Sequence, residues 1–124
     1  MKQALATAQA PAAIGPYSQG IAAGPTVYVS GQLPIDPVTG AIPEGIAAQT
    51  AQSLKNIQAI LAEQGMTLAD VVKTTVFLAD MNDFAEMNKV YGEYFAQPFP
   101  ARSAVQVAKL PKGAPLEIEC IAVK

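Results

Sequence analysis

Residues 46–95 read IAAQTAQSLKNIQAILAEQGMTLADVVKTTVFLADMNDFAEMNKVYGEYF. Leu54, Ile57 and Leu61 recur at helical spacing, Ile60 widens the apolar stripe, and neither Gly nor Pro interrupts 46–64. The pattern predicts a long amphipathic helix, ended by Gly65. Val71–Leu78 (VVKTTVFL) is β-branched and aromatic with one charge, which predicts a strand largely covered on both faces. Beyond it, Asn82 or Asp83 is placed to cap a second helix. Phe84, Met87, Tyr91 and Tyr94 form its stripe, and it continues to Phe95 before Pro98 and Pro100.

Upstream, 17–23 and 26–30 read as strands around the turn Gly24-Pro25, and 31–45, with Pro34, Pro37, Gly40, Pro43 and Gly45, as an ordered loop. Downstream, 103–107 and 116–123 read as strands separated by LPKGAP. The resulting order, β-β-α-β-α-β-β with a hairpin at each end, implies a single α+β domain spanning 1–124, its two helices covering one face of a mixed sheet.

A chain of 124 residues is too short to divide into two domains with stable cores. Its 51% hydrophobic content and mean hydropathy of +0.25 leave more apolar surface than so small a body hides, which points to a homo-oligomer. The net charge of −2, pI near 4.9 and lack of a basic cluster argue against nucleic acid as a partner. One cysteine permits no internal disulfide. The absence of histidine removes the commonest metal ligand and general base, so zinc sites and Ser/His or Cys/His nucleophile pairs are not expected. No apolar run approaches the ~20 residues of a membrane helix, and prolines break the start MKQALATAQAPAAIGP. A soluble cytoplasmic protein with no membrane contact is the expectation.

Five places set polar groups among apolar or Gly/Pro neighbours. Tyr17, in GPYSQG, is either a half-buried turn residue or a pocket wall; Ser30-Gly31-Gln32 is either a strand end or a site of close ligand approach. Asn88 falls on the stripe of the second helix, where a buried amide needs a partner in the backbone or in a ligand. Arg102, framed by Pro98 and Pro100, is either ion-paired at the surface or an anion anchor. Alternation places Glu117 and Glu119 with Ile121 and Val123. Apolar neighbours disfavour the charged form of Glu117 and a nearby Arg102 would favour it, a balance that can leave a usable base near neutral pH, while Glu119 reads equally as a solvated rim residue. Cys120 shares the opposite face with Leu116 and Ile118 and reads as a small buried hydrophobe.

The segments IGPYSQG, YVSGQLP, VVKTTVFLADMNDFAEMN, FPARSA and LEIE, in this order across nearly the whole chain, closely resemble the Rid (YjgF-like) family of reactive-intermediate deaminases. The resemblance implies a chorismate-mutase-like α+β fold assembled as a homotrimer, with sheets facing inward and ligand sites at the subunit clefts. It also implies hydrolysis of 2-imino acids to 2-oxo acids and ammonia without metal or organic cofactor. Arg102 matches the arginine that grips the substrate carboxylate, and Glu117 the glutamate that directs water. Tyr17, Asn88, Ser30 and Gly31 match the pocket wall. Many relatives carry cysteine where this chain has Ala104, which leaves only a backbone N–H for a ligand and no essential thiol. A non-catalytic regulatory trimer binding small carboxylates is the alternative, and keeping both Arg102 and Glu117 favours catalysis over it. A ribonuclease or translation-inhibitor role is disfavoured by the acidic pI and missing histidines.

Overall fold

Eight main elements alternate along residues 1–124, all described by a computed structural model. They are β1 (Lys2–Leu5), β2 (Gly20–Ala23), β3 (Thr26–Gln32), α1 (Ile46–Ala62), β4 (Val71–Leu78), α2 (Phe84–Tyr94), β5 (Ala101–Gln106) and β6 (Leu116–Val123). The six strands form one sheet in the order β1-β2-β3-β6-β4-β5. Every neighbouring pair is antiparallel except β4 with β5. Because β6 runs antiparallel to both β3 and β4, those two strands are parallel to each other. Parallel strands need a long crossover, and α1 and α2 supply it for β3 to β4 and for β4 to β5.

Both helices pack on the same sheet face and against each other. Leu54, Ile57, Ile60 and Leu61 of α1 are fully buried, as is Met87 of α2, over Val27, Val76, Leu116 and Ile118 of the sheet. The α1 stripe thus does what its spacing predicts. Gly65, at φ 68, ends that helix: the Met66 N–H donates to Leu61 O and the Gly65 N–H to Ala62 O, both at 3.0 Å. This is the paired closure that a left-handed residue allows.

The structure corrects several expectations. An additional strand, β1, opens the chain; Lys-Gln-Ala-Leu has no strand-forming composition and is held by its pairing with β2. The strand expected at 17–23 begins only at Gly20, leaving Tyr17 in a loop. The last two strands are no hairpin, because β4 separates β5 from β6. The turn before α2 is capped by Asp80, whose Oδ1 accepts from Asn82 N at 2.9 Å, while Asp83 makes no side-chain cap. Finally, β4 is covered on one face only. Val76 and Leu78 are buried, whereas Val72 is 47% exposed and Lys73, Thr75 and Phe77 lie half-buried with no helix over them.

The loop between β3 and α1 is ordered, as expected, by a residue the sequence reading passed over. Asn56 is fully buried on α1, and its Nδ2 donates to Leu33 O at 3.2 Å and to Ile35 O at 3.0 Å. Gln52 Nε2 in turn donates to Asn56 Oδ1 at 2.9 Å. Asn56→Ala leaves two partly buried carbonyls without their donor and is expected to lower the unfolding free energy by about 1–3 kcal/mol. Urea unfolding monitored by circular dichroism reads this, and an unchanged midpoint would mean that water satisfies both carbonyls.

Candidate active site

A bulge in β3 builds the first half of the site. Val29 pairs with Cys120 and Gln32 with Ile118, so Ser30 and Gly31 together face the single residue Glu119. The Ser30 hydroxyl donates to Ser18 O at 2.6 Å, and the Ser30 N–H to Gln19 O at 2.9 Å. Gln19 is itself buried: its Oε1 accepts from Thr7 N at 2.7 Å and its Nε2 donates to Pro11 O at 2.7 Å. These bonds hold the loop that carries Tyr17, which is 53% exposed. Ser30 therefore acts here through the backbone of its neighbouring loop.

Gly31 lies against Glu117. A Cβ at position 31 would stand 2.7 Å from both Cδ and Oε2 of that carboxylate, so the absence of a side chain makes the space Glu117 occupies. Tyr17, Ser30, Gly31 and Glu117 share the wall of a cleft of about 830 Å³, together with Asp36, Lys112 and Glu119. The volume suits a small-molecule site. Burial pushes the Glu117 carboxyl above its usual range, and the neighbouring Glu119 charge pushes in the same direction.

The second half is built on α2 and β5. Phe84, Asn88 and Tyr91, at i, i+4 and i+7 of the same helix, form a seat for Arg102. Its Nη1 donates to Asn88 Oδ1 at 2.6 Å, and its Cζ lies 4.8 Å from the Tyr91 ring centroid and 5.5 Å from that of Phe84. Because Asn88 is neutral, the contact orients the guanidinium without neutralising it. Asn88 is exposed, contrary to the expected burial; it sits on the flank of the stripe that Met87 and Tyr91 bury. Ala104, two residues along β5, packs against the core cluster on the same side as Arg102.

The two halves do not meet within one chain. Arg102 pairs with Thr74, and Thr74 with Cys120, both of which are buried on the helix-covered face. Glu117 lies three residues from Cys120, an odd step that turns it to the other face. The expectation that Arg102 could act directly on the Glu117 charge therefore fails inside the monomer. Cys120 is buried as expected, its thiol pushed up to about 12 by burial. No three His, Cys, Asp or Glu side chains converge where they could hold a metal, and no helix is long and apolar enough to cross a membrane. The seat residues Phe84 and Tyr91 were visible as a stripe, but their spacing also suits plain core packing.

The family model described as endoribonuclease L-PSP matches residues 7–124. This chain belongs to the L-PSP (YjgF/Rid) family. It is 52% identical over 127 residues to a 2-iminobutanoate/2-iminopropanoate deaminase of Salmonella typhimurium, covering 100% of this chain and 99% of that protein. It is 56% identical over 125 residues to a RutC family protein of Pyrococcus horikoshii, covering 100% and 99%. Among solved structures, Escherichia coli TdcF with bound serine superposes with a TM-score of 0.93 at 48% identity, covering 98% of each chain.

The raised Glu117 pKa has a signed consequence for stability. The folded chain holds this proton more tightly than the unfolded chain, so the contribution is fully present below the ordinary value of 4.5 and is lost as pH rises through the folded value. Glu117→Gln, which carries no charge at any pH, is expected to melt higher than the parent at pH 7, with the gap closing below about pH 4. Thermal melts across this range check it. A parent as stable as the variant at pH 7 would mean that burial and the Glu119 charge do not raise the Glu117 pKa.

Proposed function

We infer that this protein is a 2-iminobutanoate/2-iminopropanoate deaminase, hydrolysing reactive 2-imino acids to 2-oxo acids and ammonia. The observation that carries the reading is identity of about one half, over essentially the whole of both chains, to proteins bearing that name. The site chemistry supports it. Arg102 offers a planar, unneutralised fork for the substrate carboxylate, and Glu117 offers a carboxylate whose proton affinity is raised towards neutrality.

In the proposed reaction Glu117 takes a proton from water as the water oxygen bonds to C2 of the protonated imine, and the C=N π electrons move to nitrogen. The resulting carbinolamine receives that proton on nitrogen. The hydroxyl proton then returns to Glu117 as C2=O forms and the C–N bond breaks; ammonia leaves and takes up the last proton. Tyr17, Gly31 and the backbone at Ser30 shape the cleft, Asn88 aims Arg102, and Ala104 leaves room beside it. Neither metal nor organic cofactor enters the scheme.

Since Arg102 and Glu117 face opposite sides of the sheet, we propose that each site joins Glu117 of one copy to Arg102 of another within a homotrimer. The helix-free sheet face, which exposes Tyr28, Val72 and Val105, is the surface the copies would bury. The cleft supports this division. Asp36, Glu117 and Glu119 outnumber its one cation, Lys112, so an anionic substrate needs an arginine brought from outside. The same excess of carboxylates disfavours a phosphodiester ligand. A cytoplasmic location accords with this chemistry.

A dehydratase-coupled assay, in which imine is generated from threonine and 2-oxobutanoate release is followed, tests the activity directly. Arg102→Lys is expected to lower kcat/KM roughly ten- to a hundredfold, and Glu117→Gln to lower kcat by roughly 10²–10⁴-fold. Unfolding and reassembling the two variants together should restore activity at about a quarter of the sites, those pairing an intact Glu117 with an intact Arg102. No restoration in verified mixed trimers would place both residues of a site in one copy.

A further inference from the structure

Beneath the Arg102 seat lies a pair of hydroxyls that the reaction does not use. Thr74 is fully buried and Tyr91 nearly so, and Thr74 Oγ1 and Tyr91 Oη lie 2.7 Å apart. Valine and phenylalanine would fill the same volumes without hydroxyls to satisfy, and a buried hydrogen bond adds little net stability over an apolar pair of the same shape. The bond does supply direction. Thr74 is the register neighbour of Arg102 across β4 and β5, while the Tyr91 ring is the closer of the two aromatic faces under the guanidinium. Phe95 braces that ring, with centroids 4.5 Å apart.

We infer that Thr74 and Tyr91 are positioning residues for Arg102: their hydroxyl bridge ties strand β4 to the Tyr91 ring and so fixes the plane in which the guanidinium meets a ligand carboxylate. The inference rests on the carboxylate-binding role proposed for Arg102. Asn88 holds one edge of the guanidinium, Nη1, and the ring supports its face, so the two contacts together leave it little freedom to tilt. A planar fork is sensitive to tilt, because both of its hydrogen bonds must align with one carboxylate. Burial raises the Tyr91 pKa, chiefly by desolvation, and keeps the phenol protonated at neutral pH.

The test is calorimetric titration with 2-oxobutanoate beside the coupled imine assay. Tyr91→Phe keeps the ring and removes the bridge; it is expected to weaken 2-oxobutanoate binding and raise KM about three- to tenfold, with kcat altered less than about twofold. Thr74→Val should reproduce this and Thr74→Ser should restore wild-type behaviour, which bulk destabilisation would not do. In an Arg102→Lys background Tyr91→Phe should add nothing, since the planar group it orients is gone. Wild-type affinity in Tyr91→Phe, or its full effect on top of Arg102→Lys, overturns the inference while leaving the role of Arg102 intact. If Arg102→Lys alone leaves binding unchanged, the carboxylate role falls and this inference falls with it.

Discussion

Strand β6 is last in the chain and central in the sheet. It pairs with β3 on one side and β4 on the other, and its antiparallel course between them makes those two strands parallel. The rest of the architecture follows from that constraint. Two parallel crossovers need two helices; both helices take the same face, and the opposite face is left to half-buried and exposed side chains such as Tyr28 and Thr75. The alternation of β6 then assigns its residues. Leu116, Ile118, Cys120 and Ala122 enter the core, while Glu117 and Glu119 emerge on the bare side.

The same alternation separates the charges. Arg102 rests on aromatic rings on the helix side, and Glu117 sits beside the β3 bulge on the other, made possible by the missing side chain of Gly31. Within one chain neither group reduces the other's charge. Each keeps an affinity that paired charges would have lost: the arginine for an anion, the carboxylate for a proton. Separating the two within the chain leaves both groups unneutralised.

The sequence shows most of this where one local rule acts alone. The α1 stripe, the Gly65 closure and the alternation of β6 each depend on a single periodicity or a single residue type, and each is found as expected. Features set by distant partners are not legible in the same way. β1 exists because β2 offers it hydrogen bonds, and the position of β6 between β3 and β4 is a pairing choice that no strand's own residues record. At the site, Arg102, Glu117, Tyr17 and Asn88 could be singled out by unusual context. The division of those residues between sheet faces required the register. Asn88 was misplaced because a residue one step from a buried position on a helix still projects largely to solvent. Asn56, Gln19 and Thr74 escaped notice because a polar residue within an element looks solvated until its buried partner is known.

The central place of β6 also bears on the order of folding. Both of its pairings join residues far apart in sequence, such as Val29 with Cys120 and Thr74 with Cys120. Contacts of that span form slowly, because chain entropy is lost before the strand hydrogen bonds are gained. Until β6 docks, β1-β2-β3 and β4-β5 share no strand pairing. The sheet is therefore completed in a single late step, when one strand takes up two partners at once.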